Sequence, residues 1–249
     1  MIETLNVKLV LEYDGTRFHG WQDQPGAART VEGSLKAALR SLTGEEPVIA
    51  AAGRTDAGVH ALGQCVSFRL EKPFPLDRLP AALNARLAPD AAARTAEPVD
   101  DAFHARRSAQ RRHYAYRIRQ AVRKPAYERQ YAWAVPEALD LDAMRAAARR
   151  LNGTHDFRAF GRPPRSEGHT VRRIHELRVE AGGRDGEWVT ITVVADAFLY
   201  GMVRRIAGAL VAVGRGRRTA AWIDDLLQGS AEGPEPAPPQ GLVQLRVDY

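Results

Sequence analysis

The chain has 249 residues, 45% hydrophobic and 27% charged, a composition typical of a globular protein with one or two domains. Its single cysteine excludes a disulfide framework, and the absence of a signal-peptide core or an apolar run of about 18 residues leads us to expect a soluble, cytoplasmic protein. The net charge of +6, carried almost wholly by arginine, favours a polyanionic partner, although a GC-rich genome also exchanges lysine for arginine.

The first part of the chain alternates between short apolar runs and helical periodicity. The predicted order is strand, helix, strand, strand, helix and strand, over residues 7–12, 31–42, 47–52, 64–68, 76–87 and 92–96. This order is typical of a split βαβ, ferredoxin-like unit. A polar segment over 100–108 then marks the predicted boundary between a first lobe, 1–105, and a second lobe, 106–249.

The second part continues the α/β pattern with longer strands. Predicted strands cover 112–119, 171–179, 188–195 and 242–247, and predicted helices cover 141–152, 198–213 and 220–227. Residues 155–160 are predicted to be extended, and 162–170 to form a loop. Residues 233–240 contain four prolines and are predicted to be a linker.

The loop that joins the second and third predicted strands carries a dense set of polar groups. Arg54, Thr55, Asp56 and His60 supply a cation, a hydroxyl, a carboxylate and an imidazole, and catalytic groups are often mounted on such loops. A plain turn would explain the glycines and the aspartate, but it does not require the arginine or the histidine. Asp56 is therefore the candidate catalytic carboxylate, with Arg54 near enough to bind phosphate, and Thr55 and His60 are predicted to contact the substrate as well.

A second cluster combines aromatic rings with cations. Tyr114 and Tyr116 lie two residues apart in one predicted strand and therefore share a face. They are either core aromatics or, in the functional alternative, one ring stacks on a nucleobase while Arg106 and Arg112 hold phosphates.

Arg204 lies at the start of a predicted helix that is apolar over most of its circumference. It is either solvated or partly buried, and a partly buried arginine needs a carboxylate partner, for which Asp56 is the candidate.

The sequence has no metal-binding pattern. None of the seven histidines forms an HxH or HExxH pair, and Cys65 fits a buried thiol in a strand. A P-loop for nucleotide phosphates is absent as well. We therefore predict no metal site and no P-loop nucleotide site.

The string Gly53-Arg-Thr-Asp-Ala-Gly-Val-His60 resembles the catalytic motif of TruA-type tRNA pseudouridine synthases. The similarity extends over nearly the whole chain, through Glu12–Gly15, Gly20–Gln22, Phe103–Arg106, Tyr114-x-Tyr116, Ala197–Phe198 and Met202–Arg204. It implies that Asp56 is the catalytic residue and that Arg204 pairs with it. It also implies that Tyr114 packs on the target uracil and that Arg54 contacts RNA as the base leaves the stack.

The resemblance implies an α+β pseudouridine synthase fold with two RRM-like, ferredoxin-like α/β lobes, a mixed, mainly antiparallel sheet and a central basic cleft. The first lobe would carry the aspartate loop, and the second the stacking tyrosine and the pairing arginine. It further implies a homodimer, without metal or organic cofactor, that acts on uridines 38, 39 and 40 of the tRNA anticodon stem-loop. Asp23 and His113 depart from the family, which usually has basic residues there, so the expected phosphate contacts differ at these positions.

Isomerisation breaks the N-glycosidic bond, turns the freed uracil and forms a bond from C5 to the sugar. The sequence leaves open whether Asp56 attacks C1′, attacks C6 or removes the C2′ proton. A two-carboxylate scheme, as in glycosidases, would need a second carboxylate in a comparable setting, whereas Asp14 and Asp196 fit turn or strand-end positions. A non-catalytic RNA-binding module would explain the arginines and tyrosines but not the carboxylate.

Overall fold

A computed structural model describes residues 4–24, 26, 28–72, 74–123, 125–163 and 168–249, and the chain forms two compact units. The first unit comprises the residues up to Gln110 together with Gln244–Tyr249, and the second comprises Arg111–Val243. Residues 164–167 of the predicted loop lie outside the described residues. Across the described ranges, no helix has the length and apolar character needed to cross a bilayer.

The first unit has the predicted order of elements. They are β1 (Leu5–Tyr13), a 3-10 helix (Gly15–Arg17), α1 (Val31–Thr43), β2 (Ala50–Ala51), β3 (His60–Leu70), α2 (Leu79–Asn84) and β4 (Ala91–Pro98). The strands lie in the order β4, β1, β3, with β2 also beside β3, and each of these pairs is antiparallel. This is the strand order of a ferredoxin-like sheet.

The core of the first unit follows from the period-two pattern of β1. Val7, Leu9 and Leu11 are buried on one face of the strand and belong to the same apolar cluster as Leu35 and Leu39 of α1. Burying one such side chain contributes roughly 1.5–3 kcal/mol. The helix α1 is therefore packed against β1, the strand that leads into the 3-10 helix Gly15–Arg17.

The second unit contains a mixed sheet with helices. Its elements are β5 (Arg111–Gln120), β6 (Trp133–Val135), α3 (Leu141–Leu151), β7 (Gly153–Asp156), a 3-10 helix (Arg158–Phe160), β8 (Val171–Gly182), β9 (Trp188–Ala195), α4 (Met202–Gly214), α5 (Trp222–Gln228) and a 3-10 helix (Pro239–Gly241). The order β5, β9, β8, β7 is antiparallel throughout, and β6 pairs in parallel with β5. The predicted α+β class with a mixed, mainly antiparallel sheet is confirmed.

The last strand, β10 (Leu242–Asp248), lies beside β3, and its residues from Gln244 onward belong to the first unit. A Cβ atom on Gly63 would overlap the backbone carbonyl of Leu245. A glycine is needed where the two backbones approach this closely.

Several predicted boundaries were wrong. The helix predicted over 76–87 covers only Leu79–Asn84, because Pro80 occupies its first turn and Pro89 disfavours helical geometry just before it. The helix predicted from residue 198 begins four residues later, after Gly201, whose φ of 74° is not helical. Residues 158–160 form a 3-10 helix instead of continuing an extended segment.

The predicted linker over 233–240 is in fact packed against α4. Pro234 and Ala237 are buried, and their carbonyl oxygens accept hydrogen bonds from Arg205 at 2.6 Å and Arg204 at 2.8 Å. Prolines remove backbone donors and so prevent a regular strand, but their carbonyls remain available to side-chain donors. Proline content alone did not distinguish a packed segment from a linker.

Candidate active site

The loop that carries Asp56 contains a tight turn. The N–H of Val59 donates to the carbonyl of Asp56 at 3.1 Å, and Gly58 at the third turn position has a φ of 80°. A positive φ at this position is the geometry of a type II turn, which favours glycine. The turn considered as the plain alternative is therefore present, and the partly exposed Asp56 is its first residue.

Gly15 supports this turn from one side. Its N–H donates to Nδ1 of His60 at 3.1 Å, and a Cβ atom at this position would overlap the carbonyl oxygen of Val59. The absence of a side chain lets the 3-10 helix Gly15–Arg17 lie directly against the end of the loop.

Gly20 supports the loop from the other side. Its φ is 87°, and a Cβ there would lie only 2.8 Å from the carbonyl oxygen of Thr55. The next residue, Trp21, donates its N–H to that same oxygen at 3.0 Å. The loop is therefore bound just before and just after Asp56 by one segment of chain.

Thr55 is buried, and its hydroxyl lies 2.8 Å from the hydroxyl of Tyr13. We predicted a substrate contact for Thr55, and the structure gives this hydroxyl a partner within the protein. The substrate contact stays a prediction.

His60 is also buried, and it is the first residue of β3 instead of a loop residue. Its Nδ1 accepts from Gly15 and lies 3.2 Å from a carboxylate oxygen of Asp14. The same carboxylate oxygen accepts from the backbone and the hydroxyl of Thr16, so His60, Asp14 and Thr16 form one connected polar group beside the loop. The substrate contact of His60 stays a prediction.

Arg54 and Arg106 are the exposed arginines among the predicted substrate-binding residues. The Arg54 guanidinium has no hydrogen-bond or ion-pair partner among the described residues. The backbone N–H groups of Arg106 and Arg107 donate to Nδ1 of His104 at 3.2 and 3.4 Å. Burial, and then the nearby Arg107, hold the pKa of His104 below its usual value, which keeps this nitrogen an acceptor.

Tyr114 and Tyr116 have different environments in β5. The Tyr114 ring packs edge-on against Phe198 with a centroid distance of 5.1 Å and is 7% exposed. Tyr116 is fully buried and donates its hydroxyl to the carbonyl of Pro238 at 2.7 Å, and burial raises its pKa far above the usual value. The core interpretation therefore holds for Tyr116, and base stacking by Tyr114 stays a prediction.

Arg112 is 8% exposed, and its guanidinium donates to the backbone carbonyl of Asp196. A buried arginine with a protein acceptor is part of the fold of the second unit, so this contact gives it a structural role. Its predicted phosphate contact stays a prediction.

Arg204 is the third residue of α4 and is half-buried, as the partly buried alternative required. Its Nε donates to the carbonyl of Ala237 at 2.8 Å. Sequence reasoning considered only a carboxylate partner and did not find this one, because the proline-rich segment had been interpreted as a linker. The pairing of Arg204 with Asp56 stays a prediction.

Within the part of the chain that the structure describes, no three histidine, cysteine, aspartate or glutamate side chains group as metal ligands would.

The sequence model of a family described as "tRNA pseudouridine synthase" matches residues 9–106 and 147–249. These ranges include the Asp56 loop, its supporting segment and Arg204.

The chain belongs to the tRNA pseudouridine synthase family.

Curated members of this synthase family are similar over nearly their full length. A tRNA pseudouridine synthase A from Moorella thermoacetica is 43% identical over 250 residues, covering 98% of this chain and 99% of that protein. Another from Bradyrhizobium diazoefficiens is 44% identical over 248 residues, covering 97% and 98%. A third, from Thermoanaerobacter sp., is 39% identical over 246 residues, covering 98% and 99%.

A solved structure titled "Crystal Structure of a Cbf5-Nop10-Gar1 Complex" has a TM-score of 0.38 and 12% identity, over 99% of this chain and 58% of that chain. The chain thus spans little more than half of that protein.

Family membership confirms that the chain is an isomerase of the pseudouridine synthase type. The segment around Gly15 and Gly20 resembles the family together with the Asp56 motif. In this synthase the segment and the motif are packed together, since each of the two glycines makes room for the backbone of the Asp56 loop.

Proposed function

We propose that the chain converts uridine to pseudouridine at positions 38, 39 and 40 of the tRNA anticodon stem-loop, with Asp56 as the catalytic carboxylate. The family match supports the reaction, and the observation that most supports Asp56 as its catalytic carboxylate is the attachment of the Asp56 turn to one segment on both of its sides, through Gly15 and Gly20. A carboxylate held in this way needs little reorganisation when the substrate binds.

The reaction is an isomerisation, so the substrate and the product contain the same atoms. The bond from N1 to C1′ breaks, the freed uracil turns, C5 bonds to C1′, and the proton lost from C5 is balanced by the proton gained at N1. Asp56 acts as nucleophile or as base in these steps. Arg204 is proposed to pair with this carboxylate and keep it ionised.

Arg54, Arg106 and Tyr114 are proposed to contact the RNA. Arg54, exposed and without a described partner, and Arg106, on a turn held by His104, are proposed to bind phosphates while the target base leaves the stack. Tyr114 is proposed to pack on the uracil. We further propose that the synthase works as a cytoplasmic homodimer.

Pseudouridine mapping on an unmodified tRNA with uridines at these positions tests the proposal. Wild type should convert them, and Asp56→Asn should bind the tRNA without converting it. Asp142→Asn is the matched control, because its side chain is 91% exposed on α3, and it should behave as wild type. Turnover by Asp56→Asn would remove Asp56 from its role. Tight binding without conversion by wild type would mean a non-catalytic RNA-binding module.

A further inference from the structure

We propose that residues 233–241, which we call the strap, position the guanidinium of Arg204, and that Gly208 and Tyr116 are positioning residues that seat the strap. This inference depends on the proposed role of Arg204. All of the contacts that support it lie within the second unit.

Arg204 is bound twice by one residue of the strap. The N–H of Ala237 donates to the carbonyl of Arg204 at 2.9 Å, and Nε of Arg204 donates back to the carbonyl of Ala237 at 2.8 Å. The guanidinium group is planar, so a fixed direction for its Nε–H also fixes the plane of the two terminal nitrogens. The backbone and the far end of this side chain are therefore held by the same short segment.

The strap lies close to α4 because of a glycine. A Cβ atom on Gly208 would overlap the carbonyl oxygen of Glu235, and it would lie 3.5 Å from the nitrogen of Ala237. Gly208 is one helical turn after Arg204 and thus on the same face of α4. Any side chain at position 208 would push the strap away from the face on which Arg204 is bound.

The ends of the strap are attached separately. Arg205 donates to the carbonyl of Pro234 at 2.6 Å, and the buried hydroxyl of Tyr116 donates to the carbonyl of Pro238 at 2.7 Å. The four prolines of the strap restrict its backbone and remove donors that would compete for the same carbonyls. The result is a stiff segment whose acceptors face side chains of α4 and β5.

The test measures single-turnover rate at saturating tRNA separately from tRNA affinity. Gly208→Ala should lower the rate on the order of 100-fold, since a displacement of about 1 Å has that effect, and Tyr116→Phe should lower it roughly 10-fold. Affinity should change less than about twofold, because the strap acts on the reacting geometry. If Gly208→Ala does not fold, Tyr116→Phe still provides the test.

Two matched controls should keep the wild-type rate. Gly182→Ala adds a Cβ with its nearest neighbour at 3.8 Å, and Tyr127→Phe removes a hydroxyl from a side chain that is 92% exposed. Wild-type rates in Gly208→Ala and Tyr116→Phe, or losses of affinity as large as the losses of rate, would overturn the inference.

Arg204→Lys separates this inference from the proposed function. Lysine keeps the charge but lacks the planar Nε–H. A full rate in Arg204→Lys would show that the planar Nε–H contact is dispensable and would refute the inference, while a charge able to pair with Asp56, and with it the proposed function, would remain. A slow Arg204→Lys beside unaffected strap variants would refute the inference alone. Adding Tyr116→Phe to Arg204→Lys should cost less than about twofold, and full additivity would show that the strap does not act through Arg204.

Discussion

The carbonyl oxygen of Val59 lies where the side chain of residue 15 would be, and only glycine at position 15 permits this approach. The turn that begins at Asp56 therefore depends on a residue far from it in the sequence. Gly15 also donates its N–H to Nδ1 of His60, so it contacts both the last residue of the turn and the residue that follows it.

Gly15→Ala should displace the Val59 carbonyl and with it the Asp56 turn. We expect a loss of about 1–3 kcal/mol in the free energy of unfolding and a single-turnover rate lower on the order of 100-fold. Denaturant unfolding and single-turnover assays measure the two effects, with Gly182→Ala as the tolerated substitution. An unchanged rate in a folded Gly15→Ala would show that this contact does not hold the turn.

The hydroxyl pair of Tyr13 and Thr55 should behave as a coupled unit. Tyr13→Phe leaves the buried Thr55 hydroxyl without this partner and should cost about 1–2 kcal/mol of unfolding free energy. Thr55→Val combined with Tyr13→Phe removes both hydroxyls and should recover part of that loss. A double variant whose loss equals the sum of the single losses would mean that the two groups do not interact.

Lowering the pH should destabilise the turn that contains Arg106 and is held by His104. Its acceptor, Nδ1 of His104, has a pKa held below the ordinary value, so the unfolded chain takes up the proton first. The stabilising contribution is therefore complete above about pH 6.5 and is lost as the pH falls through the lower, folded pKa.

His104→Asn places a non-titrating oxygen near the position of Nδ1. Unfolding free energies from about pH 8 to pH 5 should then fall less steeply on the acid side than in wild type. The same acid dependence in both proteins would exclude His104 as its source.

Arg54 and Arg112 should respond differently to truncation. Arg54→Ala removes an exposed guanidinium and should weaken tRNA binding, reduce the slope of log affinity against log salt by about 0.7–1, and leave stability unchanged. Arg112→Ala removes a buried side chain together with its hydrogen bond to the Asp196 carbonyl and should lower the free energy of unfolding by about 1–3 kcal/mol. Salt-dependent binding and denaturant unfolding of both variants measure this, and equal stability losses would contradict it.

Tyr114→Phe should keep more activity than Tyr114→Leu if the ring is the functional part. Phenylalanine preserves the edge-on contact with Phe198 and a face for the uracil, whereas leucine removes both. Single-turnover rates of the two variants decide between ring and hydroxyl, and equal losses would assign the role to the hydroxyl.

The sequence by itself determined the family, the order of strands and α-helices in the first unit and the candidate carboxylate, whereas β6 of the second unit was not predicted. Period-two and helical patterns are local, so β1, α1, α3, β5, β8 and β9 could be predicted from neighbouring residues. The string around Asp56 was long enough to indicate the chemistry before any contact was known.

Only the tertiary structure decided what the polar side chains of the candidate site residues bind within each unit. Tyr13 and Thr55 are 42 residues apart, Arg204 and Ala237 are 33 apart, and Arg112 and Asp196 are 84 apart. No local pattern connects such pairs. The prolines that suggested a linker show which backbone nitrogens cannot donate a hydrogen bond, but not which side chains the segment contacts. The partners of a buried donor depend on which segments the fold brings within about 3 Å of it, and packing over the whole unit sets that distance.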